Sequence, residues 1–368
     1  MNNIADFARD FPRATAVYQA EAAAGHHTGA QVYVSRGGQT LADLGLGESR
    51  PGSAMTRDSL LLWLSAGKPL TAVAILQLME RGQLRLDDRV ETFIPEFGQN
   101  GKAPITIEHL LTHTGGFRWA AIGHDDTPQA VVIARICAMK LEKNWIIGET
   151  AGYHPYTSWH ILGEIVRRVV GRPPGEHLRD AVLLPLGMRD TWVGLPREQY
   201  QAYGDRIAPM FNTEKGDRPA HFFSTETGAM QCAPGGNTQG PIRELGRFYE
   251  ALLAGGDNVL TPQTVRLMTS RVRQGRFDLT FRAVVDWGLG IICDSKQYGV
   301  EDVPYGYGRL ASDSAFGHSG SQSSAAFADP EFQLVVAVAF NGMPGEAAHQ
   351  ARIKRFLEAL YEDLGLIC

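Results

Sequence analysis

The chain has 368 residues, 44% of them hydrophobic, and its 35 Lys and Arg against 40 Asp and Glu leave a formal charge of −5. This balance excludes a disordered chain, which pairs few apolar residues with high net charge. It also argues against a nucleic-acid partner, which calls for a basic face.

The length suits two domains of about 150 residues, or one large domain with an insertion. In chain order, residues 3–24 carry the helical spacing Ile4, Phe7, Ala8, Phe11, Ala16, Val17, Ala20 and Ala24, and Pro12 predicts a break within it. Val32 and Val34 then alternate with polar residues, Gly37-Gly38 follows, and a second apolar stretch completes a β-hairpin. From Ser65 to Arg81, Leu70, Val73, Ala74, Leu76 and Leu78 crowd a helix too apolar for the surface, which predicts a buried one. Residues 100–225 alternate helical segments with Gly and Pro and offer no strand pair. Residues 241–254 predict an amphipathic helix and 261–271 a shorter one. Strands return at 286–293 and at 323–342, the latter a strand–turn–strand with Asp329-Pro330 at the turn. A last helix carries Ile353, Phe356, Leu357 and Leu360 on one face. Strands near both ends and helices between them predict a mixed α and β domain from residues 1–95 and 230–368, with an all-helical domain, 96–229, inserted.

Cys137, Cys232, Cys293 and Cys368 are far apart and form no CxxC pair, so they are expected to be reduced and mostly buried. The first residues lack a basic segment followed by an apolar one, and no run of about 18 apolar residues occurs, so the expectation is a cytoplasmic protein with no membrane partner. His26-His27 is expected to be a solvated turn rather than a metal site. There is no Gly-x-Ser-x-Gly elbow, no HExxH, no Walker sequence and no complete dinucleotide loop, and no cofactor or metal is implied.

Chemistry concentrates in Ser65-Ala66-Gly67-Lys68. A serine and a lysine at i and i+3 share one helix face, and Pro69 places Ser65 near the helix start. A lysine that opens so apolar a helix is enclosed, and an enclosed amine can accept the serine proton. The same residues also suit a plain serine cap beside a surface lysine. The wider sequence decides between them. Ser65–Lys68, the loop Gly82, Leu84, Leu86, Asp87, Asp88, and His109 to Gly116 (HLLTHTGG) follow one another in the order of the serine β-lactamase and penicillin-recognising superfamily, which this chain resembles. The closest groups are class C β-lactamases, D-Ala-D-Ala carboxypeptidases and β-lactamase-related esterases.

The resemblance implies an α+β, β-lactamase/transpeptidase-like fold: an antiparallel sheet flanked by helices, plus the helical insertion. It implies Ser65 as nucleophile, with Lys68 and a tyrosine sharing the general-base role and the tyrosine returning the proton to the leaving group. It also implies a Tyr-x-Asn loop ahead of a helix, here within Tyr153-His154-Pro155-Tyr156-Thr157-Ser158. Tyr153 is favoured because a helix begun by Pro155 leaves it just outside, and a buried ammonium beside it would lower its pKa. Tyr156 is the rival by spacing. The family asparagine is absent under either choice, which argues against strong β-lactamase action. The family's Lys-Thr-Gly is written His318-Ser319-Gly320 here, so His318, Gly320 and Ser321 are expected to bind substrate. His318 is expected to hydrogen-bond the substrate or Tyr153, and the backbone N–H groups of Ser65 and Ser321 to form the oxyanion hole. A largely neutral histidine in place of lysine shifts the expected substrates from carboxylate-bearing penicillins to small neutral esters or amides. Pro234-Gly235-Gly236-Asn237 matches a family segment and is expected to be structural. The leading expectation is a Ser-Lys-Tyr esterase. A β-lactamase or D-amino-acid peptidase, an acyltransferase and a catalytically silent binding protein are the alternatives, and the oligomeric state is left open.

Overall fold

A computed structural model describes residues 4–120, 127–216 and 219–366. Cys368 lies outside them. The largest sheet has seven strands, all antiparallel to their neighbours. They are β1 (Gly29–Arg36), β2 (Gln39–Arg50), β3 (Ser53–Ala54), β4 (Ile292–Cys293), β5 (Phe316–Gly320), β6 (Ser324–Asp329) and β7 (Leu334–Phe340). Their spatial order is β4-β5-β6-β7-β1-β2-β3, so a hairpin from the start of the chain is zipped to strands from its end. The register pairs Ala30 with Phe340 and Val34 with Val336. Gly37 and Gly38 close the β1–β2 hairpin with φ of 57° and 76°, a turn that suits glycine. The strand expected at 286–293 shortens to Ile292–Cys293, while 323–342 forms the expected pair.

The period of two along each strand divides the core into two layers. Ala30, Val32, Val34, Val336 and Val338 face α1 (Ile4–Asp10), α2 (Pro12–Ala23) and the closing helix, whose Ile353, Phe356, Leu357 and Leu360 are fully buried there. Tyr33, Val335, Ala337 and Ala339 face the opposite way. They pack toward α3 (Lys68–Glu80) and the helix Ile242–Leu253. Helix α3 is buried from Lys68 to Leu78, as its composition predicts, and shows no polar face. Two-residue strands at Trp192–Val193 and Phe211–Asn212 interrupt the expected all-helical stretch. Each is completed by a strand far away in sequence, so no local pattern announces it.

His27 overturns the expectation of a solvated turn. It is 2% exposed, packed between the rings of Tyr18 and Phe340, and within reach of the Arg352 guanidinium. His26 does stay half-exposed, beside Glu21 at 2.6 Å.

Candidate active site

Ser65 lies in the 3-10 turn Leu64–Gly67, which runs directly into α3. Leu64 holds a φ of 51°, a left-handed conformation that a leucine adopts only where its surroundings impose it. Gly67 is required because a Cβ there would lie 2.1 Å from Thr238 Oγ1. Pro69 fits the first turn, where its missing N–H costs nothing. One turn on from Ser65, Lys68 Nζ lies 2.8 Å from Ser65 Oγ and also bonds the Gly235 carbonyl. The rings of Tyr153 and Trp159 stand 5.3 and 5.5 Å from that nitrogen. Lys68 is completely buried and has no carboxylate partner among the described residues. Burial without a counter-charge holds its pKa well below the usual lysine range.

The carbonyls of Pro234 and Gly235 are what the sequence reading missed. The segment is not merely structural: Gly235 O receives Lys68, and Pro234 O receives the Thr71 hydroxyl at 3.0 Å.

Tyr153 is 7% exposed and Tyr156 43%. Both line the cleft with Ser65, but only Tyr153 is packed at the lysine. The helix begins at Thr157, two residues later than Pro155 suggested, and Tyr156 is its N-cap residue. Tyr153 therefore lies outside the helix as expected, for a different reason. Its backbone is clamped. Its N–H donates to Asp278 Oδ1 at 3.0 Å, and its carbonyl accepts from Thr280 Oγ1 at 2.9 Å. Asp278 Oδ1 also takes the N–H groups of Thr280 and Phe281, while Oδ2 meets Arg273 at 3.0 Å in a fully buried ion pair. From the other side, His113 in the HLLTHTGG segment turns with a φ of 59° and accepts the His154 N–H on Nδ1 at 3.1 Å. The phenol ring is stacked on Phe281 and tilted against His113, each at 4.7 Å.

The expected lowering of the Tyr153 pKa is reversed. Burial pushes the phenol above its usual range, with Ser65 as a hydrogen-bonding neighbour acting in the opposite sense. Burial also drives Lys68 towards the neutral amine, so no fixed ammonium is there to favour phenolate.

The third wall is the end of β5. A Cβ on Gly320 would stand 2.1 Å from the Trp63 carbonyl, so only glycine lets this strand reach the turn that carries Ser65. Ser324 Oγ bonds the same carbonyl at 2.9 Å and ties β6 to it. His318 is 1% exposed, with Nδ1 2.9 Å from its neighbour's carbonyl, Ser319 O, and Nε2 without a partner among the described residues. Burial, then the nearby Lys68, lowers its pKa to about 3, so it is a neutral ring. It makes no hydrogen bond to Tyr153, and the two ring centres are 6.1 Å apart. Ser65, Tyr153, His318 and Ser321 thus open on one cleft of about 470 Å³, walled further by Trp119, Phe281 and Tyr305.

A buried Ser-Lys pair with a phenol over it is the arrangement of the superfamily that the sequence resembles, and the beta-lactamase family model matches residues 14–360. The chain belongs to the β-lactamase family. Within that family it is 33% identical over 180 residues to Esterase EstB of Burkholderia gladioli, an alignment that covers 44% of this chain and 46% of the esterase. It is 28% identical over 304 residues to Penicillin-binding protein 4 of Amycolatopsis lactamdurans, covering 79% of this chain and 74% of that protein. Among solved structures, a penicillin-binding protein homologue from Caulobacter crescentus superposes with a TM-score of 0.76 at 29% identity, over 96% of this chain and 97% of the other. The chain is a serine hydrolase with the β-lactamase/transpeptidase-like fold. No described helix is long and apolar enough to cross a membrane.

Proposed function

We propose that the chain hydrolyses small esters that carry no carboxylate, through an acyl-enzyme on Ser65. The observation that supports this most directly is the 2.8 Å approach to Ser65 Oγ of a fully buried Lys68 amine that has no carboxylate partner among the described residues. A neutral amine has a lone pair for the Ser65 proton as Oγ attacks the carbonyl carbon. The developing oxyanion meets the backbone N–H groups of Ser65 and Ser321, which the Gly320–Trp63 contact brings to one end of the cleft. The proton then passes from Lys68 to Tyr153 as the phenol gives its own to the departing alkoxide, the C–O bond breaks, and the alcohol leaves. Water adds to the acyl-serine by the same route in reverse, releasing the acid and restoring the Ser65 hydroxyl. With Lys68 lowered and Tyr153 raised, the amine is the base and the phenol the acid, which is a sharper division than a shared base.

The esterase reading is favoured over β-lactamase action by the cleft wall. Among the described residues it contains no Arg or Lys, and His318 is neutral, so none of them offers a fixed positive charge to a substrate carboxylate. The esterase relative supports the same choice. The test is a panel of p-nitrophenyl butyrate, nitrocefin and a D-Ala peptide, with intact-mass detection of acyl-Ser65 and a fluorophosphonate probe. Butyrate turnover and labelling that vanish in Ser65→Ala are expected. Labelling that persists in Ser65→Ala, or nitrocefin turned over faster than butyrate, overturns the reading.

A further inference from the structure

Among the described residues, the cleft wall holds one carboxylate that the reaction does not use. Glu346 opens the closing helix, Glu346–Asp363, and stands in the same wall as Ser65, Tyr153 and Ser321. Two hydroxyls hold it in place: Ser321 Oγ donates to Oε1 at 3.1 Å, and Tyr305 OH donates to Oε2 at 2.5 Å. Yet it has no cationic partner among the described residues, and no Arg or Lys shares the wall. A second carboxylate adds to the same field. Glu214 reaches the turn before the helix, where a Cβ on Gly345 would lie 3.1 Å from Oε1.

Glu346 stands in the first turn of the closing helix and its carboxylate faces the cleft, so a substrate carboxylate there meets a like charge. Beside it lie the aromatic rings of Tyr305, Phe281 and Tyr153, with Tyr305 and Phe281 centred 5.8 Å apart and Phe281 stacked on Tyr153. A carboxylate beside aromatic rings is the chemistry that recognises an organic ammonium ion, through ion pairing and cation–π attraction. We propose that Glu346 is a specificity-determining residue and that the preferred substrates are esters or amides bearing a cationic ammonium group. This rests on the hydrolase reading above and narrows its substrate class.

The experiment compares three p-nitrophenyl esters of one shape: the ester of 4-(trimethylammonio)butanoate, its neutral tert-butyl isostere, and the counterpart ending in a carboxylate. Wild type is expected to favour the cationic ester over the neutral one and to disfavour the anionic one. In Glu346→Gln the cationic-to-neutral ratio of kcat/KM should fall about three- to tenfold, mostly through KM, as suits a carboxylate that is partly open to solvent. In wild type the same ratio should shrink at high salt. Glu346→Lys should reverse the order and favour the anionic ester. A second measurement needs no turnover: calorimetric binding of phenylethylammonium and of 2-phenylethanol to wild type and Glu346→Gln. Preference for the ammonium in wild type and its loss in the variant support the proposal. If the esters are cleaved through Ser65 but the ratio is the same in wild type and Glu346→Gln, the cation proposal falls and the hydrolase stands. If no ester is cleaved but phenylethylammonium binds in a Glu346-dependent way, the hydrolase reading falls and the cation site stands. If neither cleavage nor Glu346-dependent binding is seen, both fall.

Discussion

Replacing Tyr153 by Phe removes one oxygen and leaves the ring. The ring's stacking on Phe281 and its contact with His113 survive, and so does the clamp, because Asp278 and Thr280 hold the backbone and not the hydroxyl. Among the described residues, Ser65 is the hydrogen-bonding neighbour of the phenol. The folding cost is therefore that of a single buried hydrogen bond, about 1 kcal/mol, and the melting temperature should fall by less than about 3 °C. Catalysis should suffer far more. A positioned proton donor contributes about 10²- to 10⁴-fold, or roughly 3–5.5 kcal/mol of barrier, and the loss should appear in kcat. Tyr156→Phe alters a half-open ring whose hydroxyl has no bond to the Ser65–Lys68 pair, and less than about a threefold change is expected. The assay is kcat/KM on p-nitrophenyl butyrate, with circular dichroism melting of both variants. If Tyr156→Phe is the variant that loses activity, or if Tyr153→Phe keeps more than half of it, the assignment of the phenol is wrong.

Three further outcomes are expected. Lys68 has a folded-state pKa below its unfolded one, so the unfolded chain binds the extra proton and stability rises with pH between the two values. Lys68→Met should therefore be inactive yet more stable than wild type at neutral pH, and urea titrations should show the gap narrowing as pH rises towards 10; a gap that widens contradicts a buried neutral amine. Gly320→Ala forces a methyl onto the Trp63 carbonyl, which as backbone cannot swing aside. It should cost about 1–3 kcal/mol in chemical denaturation and at least about 100-fold in acylation, whereas near-wild-type acylation would mean that β5 does not set the oxyanion hole. Asp278→Asn breaks a fully buried pair with Arg273, and a loss of about 3–5 kcal/mol by chemical denaturation is expected. If the loss is below about 1 kcal/mol, the pair is not what fixes the Tyr153 loop.

What the sequence made legible were features carried by short-range pattern. The Gly37-Gly38 hairpin, the Pro12 break, the apolar α3 and the one-faced closing helix are each written in a few consecutive residues, and each formed where it was expected. The Ser65–Lys68 spacing belongs to the same class, because three residues along a helix bring the side chains together in any context. Features fixed by distant partners were not legible. Asp278 meets Tyr153 across 125 residues from a stretch with little regular structure, and no local signal marks it. Pro234 and Gly235 act through their carbonyls, which side-chain identity cannot announce. His27 was read as surface because its neighbours in sequence are polar, while the rings that bury it come from Tyr18 and Phe340. Gly320 was read as one letter of a motif, and its reason, a carbonyl on another element, required the fold.

The pairing of β1 with β7 has a consequence for how the molecule is made. As the chain leaves the ribosome, β1 and β2 can close at once, because two residues join them. The other edge of β1 must wait for residues 334–340, and so must the far side of the cleft, since β5 and Glu346 also come late. During most of synthesis a strand buried from Gly29 to Ser35 in the finished molecule has one unpaired side, with Val32 and Val34 uncovered. Such an edge invites pairing with a neighbouring nascent chain. Ser65 and Lys68, the proposed nucleophile and base, are synthesised early, and a fragment that ends before β5 would carry them without the wall that completes the proposed oxyanion hole.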